Sequence, residues 1–145
     1  MVSLRDDFSS GVEGRVIVLF DSNMLLMAVQ KPFNLFDEVY RVLNRAYRPV
    51  VLSAVKSELD YLANFGSPKE RRESRLALEL VKRCEVVDFS FSDDADNAII
   101  EFTRRHGRVV VATNDIELRR KLRKLGVPVI FMRGFDHLDL EGDIY

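Results

Sequence analysis

Five short runs rich in Val, Ile and Leu recur along the chain, and every gap between them carries helix-like spacing or helix signals. The runs are "RVIVLF" at 15–20, "PVVL" at 49–52, "EVVDF" at 85–89, "VVVAT" at 109–113 and "PVIFM" at 128–132. Apolar, β-branched runs of this length read as strands covered on both faces. Between them, a helix is expected from about Ser22, and "FNLFDEVYRVLNRA" (33–46) places Leu35, Phe36, Val39 and Leu43 at helical spacing. Ser53 is placed to cap a helix with a buried stripe of Val55, Leu59 and Leu62. "SPKE" at 67–70 combines a cap, a first-turn proline and a capping-box glutamate, opening a helix to about Arg83. Further helices are expected over about 93–106, ended by cations and Gly107, and over 115–125, stopped by Gly126. Strands separated by helices pair in parallel through right-handed crossovers. The expected fold is therefore α/β, a three-layer α/β/α sandwich around a five-stranded, mainly parallel sheet.

The length of 145 residues suits one domain, expected over 15–145 behind a loose leader at 1–14. That leader is polar and carries acids, unlike a secretory signal. No apolar run approaches the roughly 20 residues of a membrane span. The single cysteine, Cys84, excludes an internal disulfide framework and a Cys-rich zinc module, reads as a small core residue, and suits a reducing cytoplasm. The net charge of −1 argues against a generally basic nucleic-acid coat, but the charges are unevenly placed. "LRRKLRKLG" (118–126) concentrates five cations, while acids gather at Asp93, Asp94 and Asp96.

Two strands end alike: "VIVLFDSNMLL" turns polar at Asp21, and "VVVATNDIEL" at Thr113-Asn114-Asp115. In an open parallel sheet, ligands bind beyond the carboxyl ends of the strands, where Asp21 and Asp115 would sit. Glu58 borders the buried stripe of its helix, and Asp96 lies beside Ala95, Ile99 and Phe102, so both could join them. Four acids at one edge would repel one another unless a cation lay between them. Oxygen ligands without Cys or His favour Mg²⁺ or Mn²⁺, which activate water and neutralise charge on a phosphodiester. Asn23 and Thr113 are placed to orient the acids or a bound water. Read singly, however, Asp21 and Asp115 are ordinary N-caps, Glu58 is a solvated helix acid, and Asp93, Asp94 and Asp96 complement a helix dipole.

These residues resemble a PIN-domain nuclease over nearly the whole chain, from about Val16 to Gly142. The likeness rests on "LFDSNMLL", "SAVKSELDYL", "DDADNAII" and "VVVATNDIELRRKLRKLGVPVIFMR". It is stronger toward the group of ribosomal-RNA-processing endonucleases than toward the VapC toxins. The resemblance implies an α/β/α fold, Mg²⁺ or Mn²⁺ dependence and cleavage of single-stranded RNA. It assigns Asp21, Glu58, Asp96 and Asp115 as the metal-binding acids, supported by Asn23 and Thr113. At the third position Asp96 is chosen because it lies three residues before Ile99; Asp93, on the same expected helix face, is the second choice. Glu117 could be an outer acid, a solvated helix residue being the plainer reading.

Arg119, Arg120, Arg123 and Lys124 fit a track for an RNA backbone, against the alternative of a solvated helix face. Phe33, Phe36 and Tyr61 are candidates for base stacking, with core packing the more ordinary role. His106 at a helix end and His137 in a tail are not expected in catalysis. A receiver domain would want a lysine where Arg133 stands, and a haloacid-dehalogenase-type phosphatase a second Asp where Asn23 stands. No phosphate loop is present. The expected function is a metal-dependent endoribonuclease in rRNA processing or RNA turnover. The alternatives are a VapC-like toxin held by an antitoxin, and a non-catalytic RNA-binding scaffold in ribosome assembly. A homodimer through exposed apolar residues of the 33–46 helix is a further expectation.

Overall fold

A computed structural model describes residues 15–31 and 33–144. The leader expected at 1–14 lies outside the described residues. Among the described residues there are six strands: β1 Val16–Phe20, β2 Tyr47–Leu52, β3 Glu85–Val87, β4 Val109–Ala112, β5 Val129–Arg133 and β6 His137–Glu141. Six α-helices connect them: α1 Ser22–Gln30, α2 Leu35–Leu43, α3 Ser53–Phe65, α4 Pro68–Val81, α5 Ala95–Arg105 and α6 Ile116–Lys124.

Every residue of β1 and of β4 is buried, as expected of strands with helices over both faces. The strands form one sheet in the order β3-β2-β1-β4-β5-β6. The first five run parallel, with Leu19 beside Val50 on one side and Val111 on the other. From β1 the chain builds outward to β2 and β3, then returns to place β4 and β5 on the opposite side of β1. The order therefore reverses between β1 and β4, the point where such sheets open a crevice at their carboxyl edge.

Local signals explain the helices. Ser67 and Glu70 close a reciprocal capping box around Pro68. Asn44, at φ 53°, ends α2 in the left-handed region, and Gly126, at φ 80°, follows α6. The apolar stripes of α1 (Met24, Leu25, Ala28), α5 (Ala98, Ile99, Phe102) and α6 (Leu118, Leu122) all enter the core. Among the described residues no helix is long and apolar enough to cross a membrane.

The structure departs from the sequence reading at several points. The sheet gains β6, antiparallel to β5, so His137 opens a strand rather than lying in a tail. Leu35, Phe36, Val39 and Leu43 of α2 enter the core, as their spacing implies, and Tyr40 stays exposed on the same helix. Ser53 does not cap α3; its hydroxyl instead accepts the Phe89 N–H at 3.2 Å. The stripe on α3 is completed by Ala63, with Leu62 only half-buried. Cys84 is half-buried against the core, and burial pushes its thiol up to about 12, which makes it a poor nucleophile.

Candidate active site at the carboxyl edge of the sheet

Asp21 follows β1 directly, and its backbone N–H donates to Ala112 O of β4 at 3.0 Å. The residue is 3% exposed, so its carboxylate must find donors within the protein. It finds three: Ser22 N–H at 2.9 Å on Oδ1, and the Thr113 hydroxyl at 2.7 Å and Asn23 Nδ2 at 2.9 Å on Oδ2. Thr113, fully buried, also accepts the Asp115 N–H at 3.1 Å. One hydroxyl thus fixes the acid after β1 and the backbone of the acid after β4.

Two asparagines extend this network. Asn23 Oδ1 accepts the Asn114 N–H at 2.9 Å, and Asn114 Oδ1 accepts the Met132 N–H at 2.8 Å. The polar chain therefore runs from β1 through the 113–115 turn to β5. Asp115 is the N-cap of α6, accepting the Leu118 N–H on Oδ1 at 3.1 Å. Asp21 is likewise the N-cap of α1. The ordinary capping reading is correct for both, and it coexists with their convergence.

Glu58 lies on the exposed side of α3, where its carboxylate accepts the Ser22 hydroxyl. Asp96, half-buried in the first turn of α5, completes the set. The electrostatics tie all four together. Burial raises the Asp21 carboxyl to about 6, opposed by its hydrogen bonds with Thr113 and Ser22 and reinforced by Asp96 and Glu58. Burial also raises Asp96, and Asp115, Asp94 and Glu58 push it further, against a lowering contribution from Lys121. Asp21 and Asp96 are thus pushed up first by burial and then by the carboxylates around them, and the donor set is hard oxygen, suited to Mg²⁺ or Mn²⁺. Among the described residues no three such side chains already stand tightly enough around one point to cage an ion. The acids range from the buried Asp21 to the exposed Glu58 along the carboxyl edge of the sheet.

Asp93 is exposed and precedes the helix, whose N-cap is Asp94; it does not share a helix face with Asp96. Glu117 is exposed and pairs with Arg120 at 2.9 Å. The basic helix divides into two kinds of residue. Arg119 bonds Glu141 at 2.9 Å and lies 3.5 Å from the Phe131 ring centroid, while Arg123 donates to Val127 O at 3.1 Å. Arg120 and Lys124 are exposed. Phe36 is buried and packs edge-on against Phe20, Phe33 is half-buried, and Tyr61 is exposed beside Phe65. His106 ends α5 beside the start of β4, at the other edge of the sheet, and His137 bonds Asp136. Neither histidine joins the acids.

Sequence reasoning missed Ser22, Asn114 and Lys121. A hydroxyl one residue after the first acid and an amide one residue before the fourth were visible signals, since each adjoins a candidate ligand. The approach of Lys121 to Asp96 depends on how α5 and α6 pack and had no local signature.

The family whose model matches residues 18–135 is described as a PIN like domain. Ribonuclease VapC4 of Methanocaldococcus jannaschii is 33% identical over 124 residues, covering 84% of this chain and 94% of that protein. The rRNA-processing protein FCF1 of Saccharomyces cerevisiae is 28% identical over 121 residues, covering 81% of this chain and 60% of that protein. Among solved structures, the PIN domain endonuclease Utp24 superposes with a TM-score of 0.74 at 25% identity, over 88% of this chain and 92% of that one. VapBC2 from Rickettsia felis, solved bound to a DNA fragment from its promoter, shares the fold at a TM-score of 0.53 and 16% identity, over 81% of this chain and 100% of that one.

Proposed function

The chain belongs to the PIN-like domain family, and from that premise we propose that it is a Mg²⁺- or Mn²⁺-dependent endoribonuclease that hydrolyses single-stranded RNA in a reducing cytoplasm. The observation that carries this reading is the buried Asp21, held by three donors while Asp96 and Glu58 raise its proton affinity. A carboxylate kept in that position costs stability unless a cation offsets the charge.

Asp21, Glu58, Asp96 and Asp115 would hold the metal. When bound, a divalent ion there supplies Lewis-acid polarisation of the phosphodiester and of an attacking water. The protein's own residues do the positioning. Thr113 and Asn23 fix the Asp21 carboxylate, Ser22 anchors Glu58, and Asn114 joins the site to β5. Arg120 and Lys124 would meet RNA phosphates, giving affinity without sequence preference.

Two cellular roles are supported by different relatives. The likeness to FCF1 and Utp24 supports rRNA processing, and the match over 94% of VapC4 supports a toxin ribonuclease held by an antitoxin. Purification from the native cell separates them: an antitoxin-sized partner indicates the toxin, and pre-ribosomal particles indicate processing.

The activity test is cleavage of end-labelled single-stranded RNA with Mn²⁺ or Mg²⁺, with EDTA and Asp115→Asn as controls. Metal-dependent cutting that falls by about a hundredfold or more in the variant is expected. Absence of cutting together with absence of Mn²⁺ binding by calorimetry overturns the catalytic reading and leaves the scaffold.

A further inference from the structure

Where β2 and β3 end, also at the carboxyl edge of the sheet, lies a groove of about 590 Å³ between the first turn of α3 and the loop 88–93, within the roughly 300–1,000 Å³ of small-ligand sites. Its walls are tied together by the Phe89 N–H to Ser53 Oγ bond of 3.2 Å. Hydroxyls of Ser53 and Ser57, carboxylates of Asp88 and Asp93, and the ring of Phe91 line it. Both walls lead into the active site by chain connection: Ser57 immediately precedes Glu58, and Asp93 precedes the N-cap of the helix that carries Asp96.

The groove's chemistry selects its occupant. Phe91 is 49% exposed, a large apolar surface for a loop residue. It is held in place by stacking on Phe89, with ring centroids 6.4 Å apart at 27°, and by the Arg105 guanidinium 5.5 Å from its centroid. Among the described residues the lining holds no lysine or arginine, and its two carboxylates repel phosphate. A planar, uncharged group with N–H donors is what a ring and several acceptors can hold.

We propose that this groove is a subsite for an unpaired RNA base flanking the scissile phosphate, and that it favours bases bearing an exocyclic amino group; the placement beside a scissile phosphate rests on the nuclease reading above. Guanine, adenine and cytosine each offer an NH₂ to Asp88 or Asp93, and guanine adds N1–H. Uracil offers one N–H flanked by two carbonyls, which those carboxylates disfavour. The base stacks on Phe91 while Ser53 and Ser57 complete its polar edge.

Two measurements on the full chain test this. The first maps cleavage of single-stranded RNA oligonucleotides differing at one position, for the wild type, Phe91→Ala and Asp88→Asn. The wild type should favour an amino-bearing base over uracil by about tenfold at one position flanking the cut, and both variants should lose most of that preference. Equal cutting beside all four bases, or a preference unchanged in both variants, overturns the proposal while leaving the nuclease reading intact. The second titrates the metal-free protein with guanosine and with uridine, followed by amide NMR. Shifts centred on Ser57 and Phe91 with guanosine, and much smaller ones with uridine, support the groove even if no RNA is cut. No guanosine-dependent shift there overturns it.

Discussion

The Thr113 hydroxyl donates to Asp21 Oδ2 at 2.7 Å and accepts the Asp115 N–H at 3.1 Å, so one buried side chain sets the spacing of two acids far apart in sequence. Thr113→Val keeps the shape and deletes both bonds. It should lower stability by about 1–3 kcal/mol and weaken Mn²⁺ binding, while Thr113→Ser retains both. Thermal denaturation and calorimetry of the two variants check this; equal behaviour of Val and Ser would assign Thr113 a packing role alone.

The raised Asp21 carboxyl gives a pH signature with two halves. Its folded value of about 6 exceeds the unfolded value near 3.8, so the fold favours the protonated form. Its contribution to metal-free stability is fully present below about pH 4 and is lost as pH rises through 6. Metal binding has the opposite slope, because the ligand must be ionised. Mn²⁺ affinity should fall about tenfold per pH unit below 6. An affinity flat between pH 5 and 7 would remove Asp21 from the ligand set.

Arg120 and Lys124 should differ from Arg119 in what they do. Arg120→Ala and Lys124→Ala are expected to weaken RNA binding and to shallow its log–log salt dependence by nearly one per cation. Arg119→Ala loses the Glu141 pair and the Phe131 contact and should show mainly as a lower melting temperature. Fluorescence anisotropy of a labelled RNA in the presence of EDTA, over a range of salt, separates the two behaviours.

Arg48 on β2 is buried and holds Glu85 on β3 through bonds of 2.7 and 3.1 Å. Glu85→Ala should cost about 2–3 kcal/mol, since it leaves a buried guanidinium without that partner. The double replacement Arg48→Met with Glu85→Leu should recover much of the loss. Chemical denaturation measures both, and a double variant no better than the single would show that the pair adds net stability.

How far the sequence reveals this architecture depends on whether a feature is local. The apolar runs of β1 and β4, the capping box at Ser67 and Glu70, and the stop at Gly126 depend on neighbours a few residues away, and each reads correctly. Asp21 and Asp115 were legible because a polar residue after a buried strand has few places to go. β6 was missed because "HLDLE" buries only Leu138 and follows a short turn, a weak alternation at the end of the chain. The fate of Ser53, taken by Phe89 rather than by its own helix, depends on a loop 36 residues away that no local pattern specifies. The same holds for Arg119, whose cation is spent on Glu141 across the fold.

The antiparallel β6 also decides what the sheet offers to its surroundings. Without it, β5 would present a free ladder of buried-type residues, an invitation for another chain to add a strand. With it, the outer strand carries His137, Asp139 and Glu141, and Arg41 of α2 donates to the Leu138 carbonyl at 3.0 Å, occupying one of its backbone acceptors. At the far side β3 is only three residues long. Both margins are thus poor templates for a strand added from another chain, so the sheet closes on itself at its two edges and leaves its carboxyl end as the face open to chemistry.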